Sequence, residues 1–481
     1  MVNLEKKNSI FIGFLSNIAG TLAMFAVTLF LTRTVDQEIY GEFRLAFSFV
    51  SLLVVVLLFG RDNGVIYFSQ KEKDEKGIDK IITEEALFSL LMLVIGVILL
   101  GVFKNFILQF IFNNNISSRN YLLSLLMIPL WGFFNIGIAG LKAKKLINYS
   151  FTLTNLTQRV IRVPFFILLI TFSQSFFSLT LSMLFSQVVL LFILIRKLPS
   201  MILVKKAAIK NFFLRFKYSI QLGLTAIIFV VLGKIDIIML GNLSNVSNVA
   251  IYDVCILLSF VVIFPYLALV KSSEPIIKNI INDTLLQKKY KQNLELAISI
   301  ASLVVAIFVM QPGLILSFFG NNYIQGKNAL IILAIGYLCI NFLASPLEFL
   351  NMSGYVNTSL SILAITLVLN ICLNYFLIPI FGLNGAAMAT MISLLTTKLI
   401  ALFYVKKRLG LNLIGYNSFL RLAPFVIVLS CNNFFLFYFE PVFKNSRTDL
   451  FFSMFFLFIM LVLVVFFDKK LRRNMFKFLK K

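Results

Sequence analysis

The stretch ILQFIFNNN at 107–115 returns in the second half of the chain as ILSFFGNNY at 315–323. Two shorter echoes accompany it: INYS at 147–150 with VNTS at 356–359, and Ile39-Tyr40 with Ile251-Tyr252. We infer that most of the chain consists of two copies of one unit. Both copies are almost wholly apolar. Two such halves around one central path are a common ground plan of membrane carriers.

The composition excludes an ordinary soluble protein. Hydrophobic residues make up 60% of the chain and charged residues 13%, whereas a soluble domain carries about a quarter charged residues. The apolar runs are long enough to cross a bilayer, which takes about 20 residues each. We predict fourteen spans: 9–33, 43–68, 86–112, 120–141, 150–171, 174–196, 216–240, 249–273, 294–319, 328–350, 357–380, 384–407, 420–439 and 450–467.

These spans predict an all-α polytopic membrane protein with five segments. An even number of spans in each copy makes the two copies parallel, related by an axis along the membrane normal. The predicted segments are a six-helix repeat at 1–198, a basic interfacial linker at 199–217, a second six-helix repeat at 218–410, two additional helices at 411–467 and a basic cytoplasmic tail at 468–481.

The net charge of +24 does not indicate a nucleic-acid partner, because most of the 44 Lys and Arg residues fall in loops on one side of the predicted spans. Cytoplasmic loops of membrane proteins carry this excess. The distribution supports the number of spans and predicts that both termini lie in the cytoplasm. The basic segments are 6–7, 71–80, 142–145, 196–217, 271–291, 406–421 and 469–481.

Residues for catalysis or metal binding are scarce. The chain has no histidine, which is the commonest proton shuttle and metal ligand, and it has no GxxxxGK[ST] nucleotide-binding loop. Its four cysteines lack CxxC spacing and are typical of small buried hydrophobes. We expect no enzyme, no catalytic residue, no metal and no cofactor.

Charged residues inside the spans are the candidate functional residues, because a charge at membrane depth costs several kcal/mol and faces a bundle interior or a watery cavity. Arg61 with Asp62 and Lys234 with Asp236 could neutralise each other. Cavity candidates are Arg61, Arg159, Arg162, Lys234 and Lys398; candidates for ion coupling or charge pairing are Asp62, Asp236 and Glu348.

Arg159 and Arg162 differ from the other candidates because they lie three apart on one helical face with no carboxylate near them in sequence. Phosphate and pyrophosphate suit the planar fork of a guanidinium. Alternatively, the two arginines snorkel to an interface or pair with Glu348, and Lys398 snorkels to the cytoplasmic end of its span.

Three stretches resemble the polysaccharide-transport branch of the multidrug/oligosaccharidyl-lipid/polysaccharide exporter superfamily. The sharpest is NICLNYFLIPIFGLNGAAMAT at 370–390, in which we expect Pro379 to end a span and Gly382 and Gly385 to allow a tight turn. The other two are KIDIIMLG at 234–241, followed by Ala250-Ile-Tyr252, and EIYGEF at 38–43, followed by Phe59-Gly60.

The resemblance implies an inner-membrane flippase for undecaprenyl-pyrophosphate-linked oligosaccharides, such as O-antigen or capsule repeat units. It implies a core that alternates between inward- and outward-open states, with a cationic cavity for the pyrophosphate. The expected partners are the lipid-linked oligosaccharide and membrane lipid, with a polysaccharide polymerase and a chain-length regulator as candidate protein partners.

Three alternatives stay open at this point. A cation-coupled multidrug exporter of the same superfamily would use membrane carboxylates such as Asp62 and Asp236. A membrane polysaccharide polymerase would need a large outer loop, and the predicted outer loops are short. A scaffold for glycan assembly would not transport anything itself.

Overall fold

The computed structural model describes residues 19–72, 74–201, 212–270 and 277–414, and these residues form helices and short connections. The predicted all-α fold is confirmed there. The predicted spans 420–439 and 450–467, the tail at 468–481 and most of the linker at 199–217 lie outside the described residues.

The chain divides into two compact units, one ending at Asp253 and the other beginning at Val254. The first unit therefore includes helices that belong to the predicted second repeat. The parallel arrangement of the repeats stays a prediction.

The first unit consists of helices of very different lengths, several of them in broken pairs. They are α1 (Ala19–Thr34), α2 (Gln37–Leu58), α3 (Arg61–Ser69), α4 (Glu75–Val102), α5 (Lys104–Phe110), α6 (Ser118–Leu125), α7 (Met127–Ala143), α8 (Ile147–Thr152), a π-helical turn (Leu153–Thr157), α9 (Gln158–Phe172), α10 (Phe176–Lys197), a 3₁₀ turn (Pro199–Met201), α11 (Phe212–Leu232) and α12 (Ile235–Leu243).

Helix α13 (Val246–Ser259) carries the chain from the first unit into the second. The second unit continues with a 3₁₀ turn (Phe260–Ile263), α14 (Phe264–Leu269), α15 (Ile277–Asn282), α16 (Thr284–Met310), α17 (Pro312–Ser317), a 3₁₀ turn (Asn321–Gly326), α18 (Lys327–Phe342), α19 (Pro346–Met352), α20 (Val356–Phe381) and α21 (Leu383–Leu409).

Ten helices of the described chain are long and apolar enough to cross a membrane, or eleven if one bent pair counts as a single span. That pair, Gly223–Leu232 with Ile235–Leu243, bends by 42° within the span predicted at 216–240. Large apolar side chains also cover the outside of these helices; in α4, for example, Val102 is 71% exposed. Lipid is the solvent that such a surface requires.

The predicted span at 43–68 is two helices, because the chain breaks between α2 and α3. Phe59 and Gly60 both have positive φ, 47° and 72°. A Cβ atom on Gly60 would lie 2.3 Å from Ser219 O and 2.4 Å from Gly223 Cα. The backbone at the break therefore contacts the backbone of α11. Only glycine, which has no Cβ atom, permits so close an approach.

The turn between α20 and α21 forms around the predicted glycines. Gly382 has φ 55°, and a Cβ atom on Gly385 would lie 2.1 Å from Leu377 O. The expectation that Pro379 ends the span is wrong, since α20 continues to Phe381. Proline removes one hydrogen bond and crowds the carbonyl one turn back, yet α20 continues for two more residues before Gly382 turns the chain.

Candidate functional site

A cavity of about 480 Å³ lies in the first unit, and its lining combines charged and polar side chains with apolar ones. Its walls come from α1, α2, α7, the π-helical turn, α9, α10 and the end of α11. The polar and aromatic residues that line it are Thr28, Tyr40, Phe43, Arg44, Phe47, Ser51, Trp131, Asn135, Thr154, Asn155, Gln158, Arg159, Arg162, Phe166 and Lys234.

The lining residues follow the helical repeat. Arg44, Phe47 and Ser51 are spaced three and four apart on α2, and Trp131 and Asn135 are four apart on α7. Side chains at these intervals share one face of a helix. Polar side chains therefore form stripes on α2, α7 and α9, and apolar side chains of α1, α10 and α11 complete the wall of the cavity.

The π-helical turn Leu153–Thr157 sets the direction of the stripe that contains the arginines. Such single turns are rare in α-helices and occur often at functional sites. Here the turn contributes Asn155 to the cavity, and α9 follows directly with Gln158, Arg159 and Arg162.

Four cations line the cavity: Arg44, Arg159, Arg162 and Lys234. None of the lining residues in the described chain is acidic. Three of these cations were among the residues selected from sequence, and the structure brings them together. Lys234 lies at the break between α11 and α12.

The two arginines of α9 have polar but uncharged partners in the described chain. Arg159 Nη1 donates to Thr21 Oγ1 at 2.9 Å. The Gln158 side-chain amide is oriented so that its oxygen and its nitrogen both have partners. The oxygen accepts from Arg162 Nη2 at 2.8 Å, and the nitrogen donates to Thr154 O at 3.2 Å. Arg162 Nε is buried without a partner among the described residues. Both guanidiniums therefore keep donors for an anion.

Arg44 is the cavity cation with a carboxylate partner, since its Nη2 pairs with Asp253 Oδ1. The other oxygen of Asp253 accepts from Tyr40 Oη at 2.8 Å. Sequence reasoning missed Arg44 and Asp253 because each lies near the end of a predicted span, where charges are common. The sequence feature that could have identified Arg44 is its position four residues after Tyr40, which places the two side chains on one face of a helix.

Asp236 is held by the tyrosine that corresponds to Tyr40 in the second repeat. Tyr252 Oη donates to Asp236 Oδ2 at 2.9 Å, and Asp236 Oδ1 accepts from the Ile237 N–H at 2.8 Å. Asp236 does not line the cavity that Lys234 lines.

Arg61 does not line the cavity, because it belongs to a buried ion cluster of α3, α4 and α11. Its Nη1 lies 2.9 Å from Glu85 Oε2, and Arg215 Nη1 lies 2.8 Å from Glu84 Oε2. Arg61 and Glu85 are 1% and 2% exposed. The neighbouring Asp62, which sequence suggested as the partner of Arg61, does not line the cavity either.

The remaining two candidates belong to the second unit. Lys398 Nζ donates to Ala344 O at 2.9 Å and lies 5.5 Å from the centre of the Tyr266 ring. Tyr266 Oη donates to the same carbonyl at 3.1 Å. Glu348 Oε2 is buried without a hydrogen-bond partner in the described part of the chain. A pairing of Glu348 with Arg159 or Arg162 stays a prediction.

Comparison with known families decides what kind of protein this is. The family model described as polysaccharide biosynthesis protein matches residues 6–271, more than half of the chain. The chain belongs to this family. The match includes the motifs at 38–43 and 234–241, and the resemblance to polysaccharide-transport proteins is confirmed.

Relatives of this polysaccharide biosynthesis protein include an uncharacterized membrane protein of Methanocaldococcus jannaschii, 24% identical over 77% of this chain and 78% of the relative. Among solved structures it is similar to the lipid II flippase MurJ in an inward closed conformation, with a TM-score of 0.73, 18% identity and coverage of 97% of this chain and 99% of that one. It is also similar to a multidrug resistance MATE family transporter of the MOP superfamily, with a TM-score of 0.58, 16% identity and coverage of 84% and 94%. The fold is that of flippases and transporters, and the chain is a multi-pass membrane protein.

Proposed function

We propose that the protein is a flippase that moves undecaprenyl-pyrophosphate-linked oligosaccharides, of the O-antigen or capsule type, across the bacterial inner membrane by alternating access. The transport step makes and breaks no covalent bond, so the protein acts without catalysis. The family and the MurJ-like fold support a role in moving lipid-linked sugars.

The observation that carries the proposal is the cavity lined by Arg44, Arg159, Arg162 and Lys234, without an acidic residue in its described lining. Cations that share a low-dielectric cavity repel one another, and an anion relieves that repulsion. Guanidiniums bind phosphate oxygens through two parallel N–H donors. A pyrophosphate carries enough oxygens to engage several of these cations together.

The size and depth of the cavity agree with this role. Its volume of about 480 Å³ lies within the range of about 300–1,000 Å³ that is typical of small-molecule sites. Lys234 lies at a break in a membrane helix, and broken helices in carriers form substrate sites near the bilayer midplane. The polyprenyl tail stays in lipid while the charged head group occupies the cavity.

The same lining argues against the cation-coupled drug exporter. Such an exporter would bind protons or cations through carboxylates in its path, and neither Asp62 nor Asp236 lines the cavity. Asp236 already accepts from Tyr252 and from a backbone N–H. A cavity of this charge favours an anionic substrate.

The test is reconstitution in liposomes with a fluorescent short-chain polyprenyl-pyrophosphoryl sugar, followed by chemical quenching of the label left in the outer leaflet. The double variant Arg159→Gln/Arg162→Gln is expected to lose at least nine-tenths of the flipping rate, about 1.4 kcal/mol or more in barrier height. The matched control, Arg196→Gln/Lys197→Gln, removes the same charge from the exposed end of α10 and is expected to retain the rate. Equal rates in the two double variants would refute the proposed site.

A further inference from the structure

Two aromatic side chains stack on each other in the wall of the cavity. The rings of Phe47 and Trp131 have centroids 5.1 Å apart and an interplanar angle of 25°, and both residues line the cavity. Trp131 is the single tryptophan of the chain. A stacked aromatic pair therefore lies in the wall of a cavity that four cations and several aliphatic side chains also line.

Two amide side chains line the cavity together with these rings. Asn135 follows Trp131 by one turn of α7, and Asn155 lies on the π-helical turn. Neither amide makes a side-chain hydrogen bond within the described residues. A polyprenyl tail over the rings would bury these amides unsatisfied, at a cost of about 1–3 kcal/mol for each group. The two rings and the two amides together therefore fit a ligand that is apolar on one face and rich in hydroxyl groups at its edge.

The aromatic pair lies next to the cations. Arg44 Cζ is 5.4 Å from the centre of the Phe47 ring. Arg162 also lines a second, small pocket of about 10 Å³ together with Phe47 and Trp131. The Phe47 ring is also stacked against Phe43, with centroids 6.1 Å apart. A group attached directly to an anion held by Arg44 and Arg162 would therefore lie next to Trp131.

We propose that Phe47, Trp131 and Asn135 form a subsite for the sugar that is bonded to the pyrophosphate. This inference rests on the proposed function. The C–H face of a pyranose packs on the aromatic pair, and its hydroxyl groups bond to the Asn135 amide. Recognition then requires a sugar next to the pyrophosphate, and a bare polyprenyl pyrophosphate makes only the cationic contacts.

Trp131 itself reports binding, because no other tryptophan contributes to the emission. The probes are farnesyl pyrophosphate and a panel of farnesyl-pyrophosphoryl monosaccharides that carry glucose, galactose, N-acetylglucosamine or N-acetylgalactosamine. In detergent, at least one sugar-bearing probe is expected to shift the emission and to bind about tenfold more tightly than farnesyl pyrophosphate, or by about 1.4 kcal/mol.

Two substitutions separate the subsite from the cationic contacts. Trp131→Leu and Asn135→Ala, measured by calorimetry, are expected to remove most of the tenfold advantage, so that the ratio between the Kd values for farnesyl pyrophosphate and for the best sugar-bearing probe falls towards one. Trp131→Phe keeps an aromatic face and is expected to retain about half or more of the advantage. Unaltered thermal unfolding of Trp131→Phe shows that the fold tolerates the exchange.

The outcomes distinguish the subsite from the proposed function. If the wild type binds farnesyl pyrophosphate but no sugar of the panel improves binding, the subsite is refuted and the proposed function stands. If Trp131→Leu weakens the sugar-free and sugar-bearing probes equally, Trp131 has a purely structural role and the subsite is refuted. If neither kind of probe binds to the wild type, the subsite and the proposed function both fail.

Discussion

Tyr40 Oη donates to Asp253 Oδ2 at 2.8 Å, joining residues that are 213 positions apart in the sequence. The same carboxylate pairs with Arg44 at the edge of the cationic cavity. Asp253 is therefore the counterion of Arg44 when no substrate is bound. If the cavity binds pyrophosphate as proposed, the ligand should compete with this carboxylate for the guanidinium.

Asp253→Asn is expected to lower the free energy of unfolding by about 3 kcal/mol, because it leaves the Arg44 charge without its counterion. Inorganic pyrophosphate is expected to restore part of the loss by replacing that counterion. Thermal unfolding in detergent with and without pyrophosphate measures both effects. Tyr40→Phe is the control: it removes one hydrogen bond, costs about 1 kcal/mol and leaves the response to pyrophosphate as in the wild type. A response no larger in Asp253→Asn than in the control would contradict the competition.

The Arg61–Glu85 pair is expected to matter for folding and not for substrate. Removing one partner, in Arg61→Ala or Glu85→Ala, is expected to cost about 3–5 kcal/mol, since the other buried charge loses its nearest counterion. The double exchange Arg61→Met/Glu85→Met is expected to recover most of that loss because both charges of the pair are removed together. Unfolding midpoints of the variants test this, and a double variant less stable than either single variant would contradict it.

The contact between Gly60 and Gly223 is expected to tolerate no side chain. A Cβ atom on Gly223 would lie 2.5 Å from Gly60 Cα, so Gly223→Ala should force α11 away from the α2–α3 break and reduce the yield of folded protein. Gly233→Ala is the matched control in the same bent pair, because its Cβ atom would have ordinary contacts of 3.6 Å or more. Yields after size-exclusion chromatography are the measurement, and equal yields would show that the helices separate without cost.

Lys398→Met is expected to lower the free energy of unfolding by about 1.5–3 kcal/mol, the contribution of a charged hydrogen bond, because the ammonium no longer donates to Ala344 O. The affinity for pyrophosphate is expected to match the wild type, in contrast to Arg159→Gln. Thermal unfolding and calorimetry on the two variants provide the comparison. A loss of pyrophosphate affinity in Lys398→Met would place this lysine in the substrate path.

The sequence was sufficient to predict the helices and two of the cavity arginines. Arg159 and Arg162 were recognisable because they interrupt a long apolar run without a local counterion. Arg61 looked equally unusual, but its partner Glu85 is 24 residues away and lies beyond the reach of local patterns. Pairing across helices is a tertiary property, so sequence spacing could not separate a structural arginine from a cavity arginine.

Helix breaks were predictable only in part. The break at Gly60 has a residue type that favours positive φ. Ala344 also has positive φ, 59°, although alanine disfavours it. Its conformation is maintained by Tyr266 and Lys398, which both donate to its carbonyl. Tyr266 and Lys398 belong to helices that are distant in sequence, so the residues around Ala344 do not predict these contacts.

The lining of the cavity depends on how many residues the π-helical turn Leu153–Thr157 contains as well as on which residues they are. Each residue advances an α-helix by about 100°, and the π turn accommodates one residue more than an α turn. The corresponding helix of the second copy, α20, is α-helical throughout and has no such turn. Loss of a single codon within 153–157 would therefore rotate every position that follows, and Arg159 and Arg162 would point elsewhere with their identities intact. In evolutionary terms, an insertion in one of two duplicated halves is enough to create a binding surface that the other half lacks.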